Sequence, residues 1–199
     1  MKRTTFSGLA LFTALLALAV ILLGAYVRLS DAGLGCPDWP GCYGRLGAPT
    51  GEEAIARANT AFPERPVEPA KAWKEMVHRY LASALGLVII ALAAVAWLNR
   101  ERFPVVLPTV LVALVVFQGL LGMWTVTLLV KPAVVTAHLA GGLTTLALLW
   151  WLALRQGEYF LTAPNPQLAE LRPWVWAGLL LVCVQILLGG WTSTNLSLI

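Results

Sequence analysis

The chain has 199 residues, of which 59% are hydrophobic and only 12% charged, and nine are tryptophan. Soluble domains carry about 25% charged residues, so too little polar surface exists to coat a globule in water, and lipid must be the solvent. The formal charge of +4 is spread over connecting segments without a basic cluster or nucleic-acid motif, which argues against a nucleic-acid partner and leaves membrane orientation as its reading.

Ser7 to Val27 is apolar, with Lys2 and Arg3 before it and Arg28 after it. A signal peptide has a similar basic start but an apolar core of about 7–15 residues. This run is about 20 residues long, enough to cross a bilayer as a retained first span. A loop follows from Leu29 to Trp73, rich in Pro, Gly and charge. The second span covers about Glu75–Leu98, and a short turn Asn99-Arg100-Glu101-Arg102 leads to the third, about Pro104–Thr127. The turn around Lys131-Pro132 leads to the fourth, about Ala133–Leu154. A polar link from Arg155 to Arg172, containing Pro164 and Pro166, precedes a fifth span at about Trp174–Thr192 and a short tail. The expected fold class is all-α, a polytopic membrane bundle of four up-down helices plus a fifth transmembrane helix. Residues 1–155 form the four-helix half, with its loop at 29–73, and residues 156–199 the link and fifth span.

Lys2, Arg3, Arg100, Arg102, Arg155 and Arg172 all fall on one side of this arrangement. The positive-inside rule then puts the N-terminus in the cytoplasm and the long loop outside, although that loop carries Arg45, Arg57, Arg65, Lys71 and Lys74 of its own. An internal repeat is present. Gln118-Gly119-Leu120-Leu121-Gly122-Met123-Trp124-Thr125 resembles Gln185-Ile186-Leu187-Leu188-Gly189-Gly190-Trp191-Thr192, with a weaker copy at Leu22-Leu23-Gly24-Ala25-Tyr26. Its plain reading is packing: glycine lets helices approach and the aromatic anchors at the interface. The fifth span reads as the start of a second set of helices.

The chain has two histidines, His78 in Lys74-Glu75-Met76-Val77-His78-Arg79-Tyr80 and His138 in Thr136-Ala137-His138-Leu139-Ala140-Gly141-Gly142. Each lies a few residues inside an apolar span, where ionisable groups are costly and face an interior, a partner or a cofactor. The second and fourth spans run in the same direction and sit diagonally in an up-down bundle. Counted from Glu75 and Pro132, both imidazoles lie roughly 5–9 Å below the outer boundary. Two axial nitrogens at matching depth suit the two faces of a haem. Ala82 and Gly86 on the face of His78, and Gly141 and Gly142 beside His138, would leave a slot for the macrocycle. The plainer alternative is that both histidines hydrogen-bond inside the bundle and the small residues serve packing. Zinc normally takes four ligands, and no further set converges.

Glu75 shares a helical face with His78. It either relays protons or stabilises charge on an oxidised substrate carbon, or is a solvated boundary glutamate paired with Lys71 or Arg79. Arg28 and Arg79 either neutralise haem propionates or snorkel at the boundary. Cys36 and Cys42 stand in a turn-rich string, Gly33 to Gly44, that can bring their sulfurs together. They form either a structural disulfide shaping a lid, in an oxidising compartment, or a redox pair. Cys183 reads as an apolar filler.

The string Gly24-Ala25-Tyr26-Val27-Arg28-Leu29-Ser30-Asp31-Ala32-Gly33-Leu34-Gly35-Cys36-Pro37-Asp38-Trp39-Pro40-Gly41-Cys42 closely resembles the first outer loop of heme A synthases. Glu75-Met76-Val77-His78-Arg79 and Thr136-Ala137-His138-Leu139 resemble that family's motifs on the second and fourth helices. The resemblance implies a bacterial plasma-membrane enzyme of two similar four-helix halves that oxidises a methyl of haem O to the formyl of haem A for terminal oxidase assembly. It implies substrate-haem ligation by His78 and His138, catalysis by Glu75 and a disulfide between Cys36 and Cys42. It also implies a haem O donor enzyme as partner, besides the surrounding lipid. The family's second histidine pair, which holds haem b, and its second cysteine loop have no counterpart in this sequence. The expectation is therefore a truncated, frame-shifted or genuinely short form, inactive alone or completed by a second half or another copy. Alternatives from other classes are a small b-type cytochrome that carries electrons, a quinone-linked thiol oxidase cycling Cys36 and Cys42, and a non-catalytic assembly fragment.

Overall fold

A computed structural model describes residues 3–157 and 169–195. Lys2, the link residues Pro164 and Pro166, and the tail 196–199 lie outside the described residues. The described regular structure is helical: α1 (Arg3–Leu29), α2 (Glu52–Ala61), α3 (Pro69–Leu98), α4 (Val106–Thr127), α5 (Pro132–Gln156) and α6 (Arg172–Asn195). All except α2 are long and apolar enough to cross a membrane. The protein is an integral membrane helix bundle, in which each span satisfies its own backbone hydrogen bonds because lipid offers no partners.

Local chemistry sets the ends. Pro69 and Pro132 open α3 and α5 in the first helical turn, where a missing N–H costs nothing and φ is already helical. Asp31 takes a left-handed φ of 50° just past α1, and the Ala32 N–H donates back to the Val27 carbonyl at 2.9 Å. Leu129 and Val130 turn the same way after α4, where the Val130 N–H donates to Thr125 O at 2.8 Å. These are left-handed C-terminal stops made without glycine.

Helices α3 and α5 each pack against both α1 and α4, so α3 and α5 stand diagonally across a four-helix bundle. Away from the long loop, the core is Phe6, Ala10, Ala14 and Ala17 of α1 with Ile89, Leu92, Leu111, Leu149 and Leu152. Phe6 stacks on Phe103 at 4.3 Å between centroids, and the Ser7 hydroxyl donates to Ala153 O at 2.8 Å. The alanine row lets α1 approach its neighbours closely. Helix α6 packs on α5, burying Gly190 and Thr194 and leaving most of its apolar surface toward lipid.

The structure adds a short helix, α2, to the expected loop 29–73 and corrects one bound: the second span starts at Pro69, six residues before Glu75. The loop folds as a cap with its own core: Cys36, Cys42, Tyr43, Ala48 and Ala58 pack on Ala72 and Met76 of α3. Gly35 is obligatory there, because a Cβ at this position would stand 2.6 Å from the Lys71 carbonyl carbon.

Candidate functional site

The cap closes over one end of the bundle, and Glu75 is where the two meet. Its side chain is buried, 4% exposed overall. One carboxylate oxygen accepts the Cys36 backbone N–H at 2.9 Å; the other is ion-paired with the Arg79 guanidinium one turn along α3. Lys71 pairs instead with Asp31 and Glu68, both at 3.2 Å. Glu75 is therefore partnered by Arg79 but is not solvated.

Arg79 is also drawn inward. Its second terminal nitrogen donates to the carbonyls of Asp38, Pro40 and Gly41. Those carbonyls belong to the ring closed by the Cys36–Cys42 disulfide. The ring thus presents backbone oxygens to a cation, as charge-assisted hydrogen bonding favours. Asp38 shapes the same ring by accepting the N–H groups of Tyr43 at 2.6 Å and Gly44 at 2.8 Å, which follow one another at positive φ. Tyr43 is buried against Phe62 and donates to Pro66 O at 3.3 Å. Burial lifts its phenol above the ordinary tyrosine range, so it remains a neutral donor. Arg28 lies across the bundle end, where it donates to the Ser193 carbonyl of α6 at 2.7 Å.

His78 and His138 are seated in the same way on different helices. The His78 ring lies against Gly24 of α1: a Cβ at Gly24 would stand 2.9 Å from its Cε1. The His138 ring lies against Gly122 of α4, where the corresponding distance is 3.6 Å. Gly24 and Gly122 each stand five residues before the last residue of their helix. The two imidazoles are therefore at matching depth, although His78 is nine residues into α3 and His138 six into α5. The buried Nδ1 of His78 has no hydrogen-bond partner among the described residues. His138 has one in Gln118, a buried side chain of α4.

The glycines that face the imidazoles are those of the repeat, not the ones expected to leave a slot. The Gln118 amide fills the space over Gly141. Gly142 faces Ile21 of α1, and Gly86 faces Val115 of α4. The repeat supplied the missing signal: Leu-Leu-Gly five residues short of a helix end, twice opposite a histidine. Gln118 begins one copy of it. An apolar groove of about 390 Å³ between α1 and α5, lined by Ala14, Leu18, Leu143, Leu146, Ala147 and Trp150, contains neither histidine.

The arrangement is thus two half-buried imidazoles at one depth on diagonal helices, with a buried carboxylate one turn from His78 and a disulfide-closed cap above. It fits a group that takes two nitrogen ligands. The Nδ1 of His78 is left without a hydrogen-bond partner among the described residues, and the glycine at 24 and at 122 keeps side-chain bulk off both rings.

Residues 7–199 match the family of cytochrome oxidase assembly proteins designated COX15-CtaA. The heme A synthase of Shewanella oneidensis is 46% identical over 92% of this chain and 55% of its own length. That of Halalkalibacterium halodurans is 32% identical over 74% of this chain and 44% of its own. A protoheme IX farnesyltransferase of Natronomonas pharaonis is 28% identical over 85% of this chain and 33% of its own. The chain spans about half the length of the heme A synthases it matches. No solved structure matches it.

Proposed function

The chain belongs to the COX15-CtaA family of cytochrome oxidase assembly proteins, and we propose that it serves heme A biosynthesis by binding haem O and supporting oxidation of its methyl group to a formyl group. The observation that carries this reading is the pair of histidines, each over a repeat glycine, with a buried carboxylate one turn from His78. The names of the similar proteins support a haem-related substrate.

In this reading His78 and His138 are the residues that would hold the haem iron. The bound haem supplies the iron-centred redox chemistry. Glu75 supplies negative charge at the cap side of the site. Its carboxylate is fixed by Arg79 and the Cys36 N–H, so it does not reorganise as positive charge grows on the methyl carbon, and such preorganised electrostatics are the most effective kind. Methyl oxidation also releases protons, and Glu75 is the buried carboxylate one turn from His78. The disulfide-closed cap, packed on α3, keeps water from that end of the bundle. Arg28 and Arg79 are cations that could meet propionates at this rim, each by giving up backbone carbonyls it now bonds. The long loop faces outward from a bacterial plasma membrane, and the enzyme that farnesylates haem is the partner that would deliver the substrate. A second half, from another chain or another copy, would complete the assembly.

The test is spectroscopic. Protein purified from haem-supplied cells should show a six-coordinate low-spin haem, and His78→Ala or His138→Ala should each abolish it. Glu75→Gln should keep the haem and lose conversion of haem O. A colourless wild-type protein, or a haem spectrum indifferent to both histidines, would sink the reading. Conversion that survives Glu75→Gln would remove Glu75 from the chemistry, and a wild-type protein that binds haem O without converting it would reduce the reading to a b-type cytochrome.

A further inference from the structure

We infer that Gln118 is a positioning residue, which holds the His138 ring and sets which of its nitrogens is free to bind iron. The inference rests on the haem reading above. Gln118 is a polar side chain inside an apolar span, 9% exposed, and such residues cost free energy unless fully bonded. It bonds three groups, all on α5. With its amide nitrogen toward His138, it donates to Nδ1 at 2.9 Å and to the backbone carbonyl at 3.0 Å, while its oxygen accepts the Gly142 N–H at 3.3 Å. Space for this exists because residue 141 is glycine: any Cβ there would overlap the amide.

A neutral imidazole has one donor and one acceptor nitrogen. While Nδ1 accepts from Gln118, the proton sits on Nε2. Iron at Nε2 needs that lone pair, so the ring must carry its proton on Nδ1 instead. An amide can serve both states. Turned by half a rotation, Gln118 gives up its bonds to the His138 carbonyl and the Gly142 N–H and offers its oxygen to Nδ1–H, and this is the outer-sphere contact that raises the basicity of a metal-bound histidine. No ionised group in this position could do both. His78 has no such partner, so the two ligands are unequal, with His138 the anchoring one and His78 the weaker.

The experiment measures haem affinity and midpoint potential in the full chain in detergent. Gln118→Met keeps volume and removes all three bonds. It should weaken haem binding by about 10–100-fold and raise the potential, because a less basic ligand stabilises ferric iron less. Gln118→Glu keeps an oxygen toward Nδ1 and should bind haem nearly as wild type, at an equal or lower potential. Thr145→Val removes another buried hydroxyl of α5, one bonded to Gly141 O at 2.8 Å, and should change neither quantity. Wild-type affinity and potential in Gln118→Met would overturn the inference, as would an equal shift in Thr145→Val. Should Gln118→Met fail to accumulate, the Gln118→Glu potential decides, and a raised value counts against the proposal. His138→Ala separates the two readings. Haem lost there but unchanged in Gln118→Met removes only the role of Gln118. Haem unaffected by His138→Ala removes the site itself.

Discussion

Arg79 is bonded to a buried carboxylate on one side and to three backbone carbonyls on the other, so its removal acts on two structures at once. Arg79→Ala leaves Glu75 buried with backbone N–H partners and no counter-charge, and breaking such a pair costs about 3–5 kcal/mol. Adding Glu75→Gln removes the uncompensated charge, so the double variant should be less destabilised than Arg79→Ala alone; thermal unfolding in detergent measures the order. Strict additivity of the two single changes would mean that the pair is not coupled. The glycine seats give a prediction of a different kind. A methyl at Gly24 forces the His78 ring to move, whereas at Gly122 it makes ordinary contact with His138. Gly24→Ala should therefore lower haem retention roughly tenfold, the lower end of what disturbing a ligand's support does, with little change in melting temperature. Gly122→Ala should be close to neutral. Equal losses from both would show that the seats are not what orients the rings.

Among the elements, the cap shows what sequence patterning conveys and what it hides. Hydropathy runs locate the five spans to within a few residues except at the start of α3, because lipid exposure demands continuous apolar stretches. The short helix α2 was invisible. It is ten residues of Ala, Glu, Arg, Ile, Asn and Thr, and it buries only Ala54 and Ala58, too few to mark a period. The start of α3 was legible in principle, since Glu68-Pro69 is a helix-opening pair, but the apolar run begins later and drew the boundary to Glu75. The cap is held by the Cys36–Cys42 disulfide, by Asp38 on the Tyr43 and Gly44 N–H groups, and by the Arg79 clamp. A ring this small gains only about 2 kcal/mol from closure on the chain-entropy model. Cys36→Ser or Cys42→Ser should raise the rate of proteolytic nicking in the cap by up to about 30-fold yet leave the axial-ligand spectrum intact, because the bond to Glu75 comes from the backbone N–H of residue 36. Loss of the haem spectrum in either variant would show that the ring holds the ligands as well as the cap.

For the whole molecule, the four-helix ring and the diagonal placement of the histidines followed from counting spans, and the contacts of α1 and α4 with both α3 and α5 agree. What the pattern could not show was which small residues face the imidazoles, since a glycine's partner lies on another helix. Charge gave orientation only weakly, because the long loop carries several basic residues. The fold explains part of that: Arg79 and Arg57 are each paired with a carboxylate on their own helix, and Lys71 with Asp31 and with Glu68 at the N-cap of α3. At the opposite end Arg100 and Arg102 stand exposed, unpaired by any described ion pair and free to act as the retained positive charge. Surface labelling tests the resulting orientation. In a Cys183→Ser background, which removes the free thiol, Leu46→Cys places a thiol on the cap at a position 87% exposed, and Glu101→Cys places one on the exposed turn between α3 and α4. A membrane-impermeant maleimide applied to intact spheroplasts should modify residue 46 and spare residue 101 until the membrane is opened. The reverse pattern would put the cap, and with it the rim through which substrate enters, on the cytoplasmic face, and haem would then have to be delivered from inside.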